Sequence, residues 1–310
     1  MIIMKNLKKR IWIIIAVMVI FLAASWVATM FIYDGVFCRY DGTAPIPAQL
    51  TAQVAQRQVC HFPSGENRLT GYLYPNPGAQ ALVVLAPGFH AGADDYLWQI
   101  KDLLDRGWAV FAYDATGSCR SQGKSTRGFP QSALDLEAAL KYVEKCQTFG
   151  YNNTVVLGHS QGGYAVGCVL GGEYAIAAAV TVSGINSAME GIMGYAEDYV
   201  GPLAYGNYGF LWLYQAMRFG PDAVNAQAAK TIGESGVPTL VIHGSADTRV
   251  SADKGSILSH KEDLEESHVT VLLRETPDSG HTQLLFDPDG TANKELMDAI
   301  HAFLLESIKK

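Results

Sequence analysis

Val155-Val156-Leu157-Gly158-His159-Ser160-Gln161-Gly162-Gly163 runs an apolar strand into a glycine-rich reversal, and a helix-compatible stretch follows from Tyr164 to Leu170. A serine raised on a strained strand-to-helix turn needs small neighbours, because side chains at 158 and 162 would collide as the chain reverses. The pattern Gly158-x-Ser160-x-Gly162 is weak alone in a chain where 31 of 310 residues are glycine. Its context, a strand before and a helix after, makes Ser160 a candidate nucleophile rather than one more residue in a flexible turn.

Working outward, short apolar runs alternate with helix-length amphipathic ones. Residues 58–62 and 68–74 read as a hairpin around Pro63-Ser64-Gly65; 81–86, 108–113, 154–157, 176–182, 237–243 and 269–273 read as strands. Residues 94–106, 132–146, 161–170 and 292–308 read as helices, the first stopped by Gly107. Apolar strands interleaved with helices imply an α/β chain with a mainly parallel sheet covered on both faces. The interval from about 184 to 236 breaks the alternation and is rich in aromatics, among them Tyr195, Tyr199 and Trp212. Lying between two strands past the serine, it is expected to form a cap over the carboxyl edge of the sheet. Its aromatics either line a substrate pocket or merely pack the cap onto the body.

A serine hydroxyl is a poor nucleophile at neutral pH and needs a general base held in hydrogen-bond reach. Strand 237–243 runs into His243-Gly244-Ser245-Ala246-Asp247, presenting Asp247 at the sheet's carboxyl edge. The rivals Asp222, Asp253 and Asp278 follow no strand so directly. Strand 269–273 is followed by Asp278-Ser279-Gly280-His281, which brings His281 to the same edge. Of the other histidines, His301 lies in the last helix, His268 opens a strand, His243 reads as a core histidine, and His159 is expected to point away from the turn. Acid first and histidine last is the order this topology requires. Oxyanion donors are expected from the Gln161 N–H at the helix start, and from the Ala86-Pro87-Gly88-Phe89-His90 loop, with Phe89 N–H first and His90 N–H second. His90, Tyr195, Tyr199 and Trp212 are the candidate substrate contacts.

The N-terminus is of another kind. Ile11 to Tyr33 gives 23 consecutive uncharged residues, preceded by Lys5, Lys8, Lys9 and Arg10. At about 1.5 Å per residue this spans a hydrocarbon core of roughly 30 Å. The basic flank places residues 1–10 in the cytoplasm and the rest outside. An uncleaved anchor over 11–33 is the primary reading; cleavage near Ala23-Ala24-Ser25, giving a secreted protein, is the alternative. Residues 34–57, with Pro45 and Pro47 and little periodicity, read as a stalk before a catalytic domain at 58–310. The net charge of −7, with no basic run outside the N-terminal flank, argues against a nucleic-acid partner. Five cysteines make no complete disulfide framework; Cys38 and Cys60 either pair outside the cell or stay free. No metal-type His/Cys spacing occurs.

From about 58 to 308 the chain resembles the α/β-hydrolases. The matching residues are Gly158-His159-Ser160-Gln161-Gly162, Pro87-Gly88-Phe89, Asp247 in a Gly-x-x-Asp turn, and Ser279-Gly280-His281. The segment Asp114-Ala115-Thr116-Gly117-Ser118-Cys119-Arg120-Ser121 also resembles the family's Asp-x-x-Gly-x-Gly-x-Ser loop, with Cys119 at the second glycine. Pro87 stands where the family often has histidine. The chain is most similar to the lysophospholipase and monoglyceride-lipase-like branch. The resemblance implies an α/β-hydrolase fold with an eight-stranded, mostly parallel sheet and a cap, and cofactor-free hydrolysis of carboxylic esters, lipid or lysolipid esters included. A peptidase or amidase with the same residues, and a non-catalytic binding protein on this scaffold, are the alternatives, since the fold does not fix the chemistry.

Overall fold

The computed structural model describes residues 2–146 and 150–309, leaving aside the side chains of 2–6 and 198–200. Eight strands form one sheet in the order β1-β2-β4-β3-β5-β6-β7-β8. The hairpin β1 (Gln58–Ser64) and β2 (Asn67–Tyr74) joins antiparallel to β4 (Ala109–Tyr113). From β4 onward the pairing is parallel through β3 (Leu82–Ala86), β5 (Thr154–His159), β6 (Ile176–Val182), β7 (Thr239–Gly244) and β8 (Val269–Arg274). Strands β3 and β4 are buried along their whole length, the consequence of helices on both faces. Two apolar layers result. One holds Phe111, Phe129 and Tyr164 on one side; the other holds Trp108, Leu157 and Ile300 on the opposite side.

Strand order changes direction at β3, which lies between β4 and β5. In open parallel sheets the crevice beyond the strand carboxyl ends at such a switch is the natural place for a ligand.

The helices in chain order are α1 (Ile2–Val36), α2 (Thr51–Gln56), α3 (Leu97–Asp105), α4 (Phe129–Lys145), α5 (Gln161–Val169), α6 (Ala188–Val200), α7 (Tyr208–Phe219), α8 (Pro221–Asn225), α9 (Ala228–Ser235) and α10 (Lys294–Ser307). The cap between β6 and β7 is narrower than 184–236. It consists of α6, α7, α8 and a 3-10 stretch at Gly201–Asn207. Helix α9 belongs to the body: Ala228, Ala229 and Ile232 are buried, and Gly167 of α5 leaves room only for the backbone and Cβ of Ala228.

Residues 34–57 are not a free stalk. Phe37 and Leu50 are fully buried. Arg39 donates to the carbonyls of Cys119, Ser121 and Gly123 at 2.8, 3.0 and 2.8 Å, and Arg57 pairs with buried Asp94. Anchors this widely spaced leave no periodic signal, so the segment looks like a spacer in sequence. Cys119 adopts φ +47°, the left-handed backbone for which glycine is the usual choice. All five cysteines are free thiols, Cys38 and Cys60 included.

Candidate active site

The loops after β3, β5, β7 and β8 meet at the switch-point crevice. Ser160 closes the turn between β5 and α5 at φ +57°, ψ −116°, a strained backbone for a residue with a side chain. The strain persists because packing leaves the turn no alternative. A Cβ on Gly158 would strike the Gly162 carbonyl, and one on Gly162 would strike the carbonyls of Ala86 and Pro87. The same contacts put the Pro87-Gly88-Phe89 loop directly against the serine turn. The two expected oxyanion donors therefore sit on adjoining loops, and Gln161, first residue of α5, has no intrahelical acceptor for its N–H.

Three side chains from distant parts of the chain converge. His281 Nε2 lies 2.8 Å from Ser160 Oγ, and His281 Nδ1 lies 2.7 Å from Asp247 Oδ2. Burial alone would raise the pKa of Asp247, but hydrogen bonds from His243 and His281 outweigh it and hold the carboxyl well below its ordinary range. The Val250 and Arg249 N–H groups add two bonds of 2.9 Å to its Oδ1. An ionised carboxylate only accepts, so Nδ1 of His281 must carry the proton and Nε2 must present a lone pair to the Ser160 hydroxyl. Ser279 couples the two loops. Its Oγ accepts from Ala246 N–H at 3.3 Å, and Gly244 lies so close to its carbonyl that a Cβ there would overlap it.

Two histidines set aside in the sequence, His243 as a core residue and His159 as pointing away from the turn, touch this cluster. His243 Nε2 donates to the Val250 carbonyl at 2.8 Å and lies 3.4 Å from Asp247 Oδ2. His159, beside the serine, is buried and lines the crevice. Its Nε2 is 3.0 Å from the carbonyl of His281, so that nitrogen carries the hydrogen, while Nδ1 accepts from the Tyr96 hydroxyl at 3.1 Å. Tyr96 in turn accepts from Gly88 N–H at 2.9 Å. One chain of hydrogen bonds thus runs from the Gly88 loop through His159 to the His281 backbone. Burial, with a smaller contribution from His281, pushes the His159 pKa down to about 3, so it stays neutral and keeps this tautomer. The only sequence signal for this was its adjacency to Ser160, which does not reveal the ring's direction.

Above Ser160 opens a cavity of about 910 Å³, at the large end of the roughly 300–1,000 Å³ typical of small-molecule sites. Phe89, His90, Ile192, Tyr195 and Leu211 are among its walls. His90, at φ +52°, stacks on Phe89 and on Tyr40 with ring centroids 3.9 and 5.0 Å apart. Trp212 is not part of the wall. Leu211 faces the cavity, and one residue further round the helix Trp212 turns away, its Nε1 donating to Asn225 at 2.9 Å. The Tyr199 side chain lies outside the described residues. The cavity also has a wall that the sequence did not suggest. Ala28, Thr29, Ile32, Tyr33, Gly35 and Val36, all from α1, line it.

A family described as serine aminopeptidase, S33 (Hydrolase_4), matches residues 77–190, a stretch that includes Ser160 but not Asp247 or His281. No curated protein matches the chain. Among solved structures, an esterase from Pyrococcus furiosus superposes with a TM-score of 0.66 at 16% identity, over 88% of this chain and 98% of that one. Est1E from Butyrivibrio proteoclasticus, with ferulic acid bound, gives 0.61 at 18% identity over 81% and 100%. An esterase from Exiguobacterium antarcticum gives 0.53 at 14% over 82% and 100%. At such identities the likeness establishes the shared architecture.

Proposed function

We propose that this chain, an α/β-hydrolase by fold, is a membrane-anchored serine hydrolase that cleaves carboxylic esters of amphiphilic molecules. The observation that carries the reading is the pair of contacts from His281, 2.8 Å to Ser160 and 2.7 Å to Asp247. Ser160 Oγ attacks the acyl carbon while His281 Nε2 takes its proton, and Asp247 orients the imidazolium that forms. The carbonyl π pair moves onto oxygen, where the Gln161 and Phe89 N–H groups receive it; one such donor is commonly worth about 3–4 kcal/mol. Collapse of the tetrahedral species expels the alcohol, which leaves with the proton from His281. Water then attacks the acyl-serine by the same steps in reverse roles, releasing the acid. Every group needed comes from this chain, so the reading calls for no cofactor.

Anchoring rests on α1. Between Leu7 and Val36 it is long and apolar enough to cross a membrane, and its residues from Leu7 to Ala24 are all exposed. An aliphatic helix standing clear of its own protein needs an apolar solvent. Lys5, Lys8, Lys9 and Arg10 ahead of it favour a cytoplasmic N-terminus and a hydrolase domain outside.

A peptidase reading is favoured by the description of the matched family. Labelling with a fluorophosphonate, with Ser160→Ala as control, and rates on matched esters and peptide amides test both. Serine-dependent labelling with ester preference is the expected result. Preference for amides turns the assignment to a peptidase, and folded protein without serine-dependent labelling to a binding module.

A further inference from the structure

The segment of α1 that lines the cavity has a fixed relation to the segment that would lie in the bilayer. From Arg10 to Thr29 is 19 residues, or roughly 29 Å of helix, against a hydrocarbon core of roughly 30 Å. Thr29 is the first buried residue of α1 among the described side chains and one of the cavity's walls. The helix therefore meets the body, from Trp26 onward, near the level where it leaves the lipid.

Docking uses two faces of the same helix. Trp26, Tyr33 and Asp34, with Phe37 just past the helix end, grip the protein. Trp26 makes edge contacts with Phe210 and Tyr214, Tyr33 with Tyr214, and Asp34 pairs with Arg218 at 2.9 Å. Ala28, Ile32 and Gly35, spaced to fall on a neighbouring stripe, face the cavity. Ile32 lines the cavity and is nevertheless 64% exposed, so the cavity opens beside α1.

The order of contacts, 26 with 210 and 34 with 218, means α1 and α7 run in the same direction. The start of α7 is thus the end nearer the lipid. Exposed Leu203, Tyr205 and Tyr208 cluster there, residues of the kind that settle at a membrane interface. Ala204 and Asn207 from this stretch complete the cavity's wall.

We propose that the last turns of α1 form the acyl-chain wall of the substrate site, so that long-chain esters reach Ser160 sideways from the outer leaflet, along Ala28, Ile32 and Gly35. The helix is then a substrate-binding element as well as an anchor. This rests on the ester-hydrolase reading. The apolar character of Ala28, Ile32 and Val36 suits an alkyl chain, and the methyl of Ala28 and the missing side chain of Gly35 leave the space it would fill.

The test uses the full chain in phosphatidylcholine vesicles with a hexadecyl fluorophosphonate carrying a diazirine near its chain end. Phosphonylation of Ser160 displaces fluoride, and photolysis then marks whatever the chain touches. Adducts within residues 28–36 are the expected outcome; adducts confined to other walls, with Ser160 fully labelled, overturn the proposal. A second measurement compares hydrolysis of a palmitoyl monoester in the vesicles with that of p-nitrophenyl butyrate. Ala28→Trp and Ile32→Trp should each lower the long-to-short rate ratio tenfold or more. Val27→Trp, on the lipid-facing side away from the cavity, should leave it within twofold. Equal losses on both esters, or none, overturn the proposal while leaving ester hydrolysis intact. A wild-type chain inert to both esters and unlabelled at Ser160 defeats the reading beneath it, and this inference with it.

Discussion

Asp247 and His159 show how much a single residue's surroundings decide. Asp247 stays ionised because donors from His243, His281 and two backbone N–H groups outweigh the penalty of burial. Replacing it by Asn keeps the shape but lets an amide N–H face His281, inverting the tautomer. Asp247→Asn should then lower kcat by about 10³–10⁴-fold with little change in KM, measured on a soluble ester. His159 has a folded pKa of about 3 against an ordinary 6.5, so at mildly acid pH the unfolded chain binds a proton that the folded chain refuses. Its contribution to stability is intact above about pH 6.5 and shrinks as pH falls toward 3, at up to about 1.4 kcal/mol per pH unit. His159→Gln removes that proton. Wild type should therefore lose stability relative to the variant between pH 6.5 and 4, as read by denaturation at each pH. A constant gap across that range would mean that His159 titrates normally.

At the scale of elements, the surprise lies in α1 and the segment after it. Phe37 is fully buried between Phe89 and Phe129, ring centroids 5.4 and 5.3 Å away. Phe37→Ala should cost about 3–5 kcal/mol, the usual range for a buried aromatic reduced to methyl. Because Phe89 belongs to the proposed oxyanion loop, the same variant should also slow ester turnover. Thermal unfolding in detergent and kcat on a short ester check the two effects. An unchanged melting temperature would mean that α1 and the linker are tethered rather than packed. The sheet elements needed no such revision. The strands expected at 81–86, 108–113 and 176–182 form as β3, β4 and β6 within a residue or so, because continuous apolar runs between turn residues admit few alternatives.

For the whole molecule, the apolar helix and the body make a single statement about placement. A reporter that works only outside the cytoplasm, fused after Lys310, should be active, and the mature chain should have its full-length mass. Reporter silence would reverse the orientation, and a mass beginning near Ser25 would show a cleaved leader. Even cleavage there would leave Trp26 to Phe37 in place, because those residues are held by the cap and the body.

The sequence alone determined the alternation of strands and helices, the strained serine turn and the acid-then-histidine order. These depend on local periodicity, on glycine where a Cβ cannot fit, and on chain connectivity, all written along one dimension. Only the tertiary structure decided that His159 turns inward to hold the His281 loop, that Trp212 faces away from the cavity, and that α1 closes its wall. Those outcomes depend on which surfaces meet across long stretches of intervening chain, as Tyr33 meets Gln215 across 182 positions and Arg39 meets Ser121 across 82. A helix that is apolar on every side leaves no trace in its sequence of which stripe will face a partner.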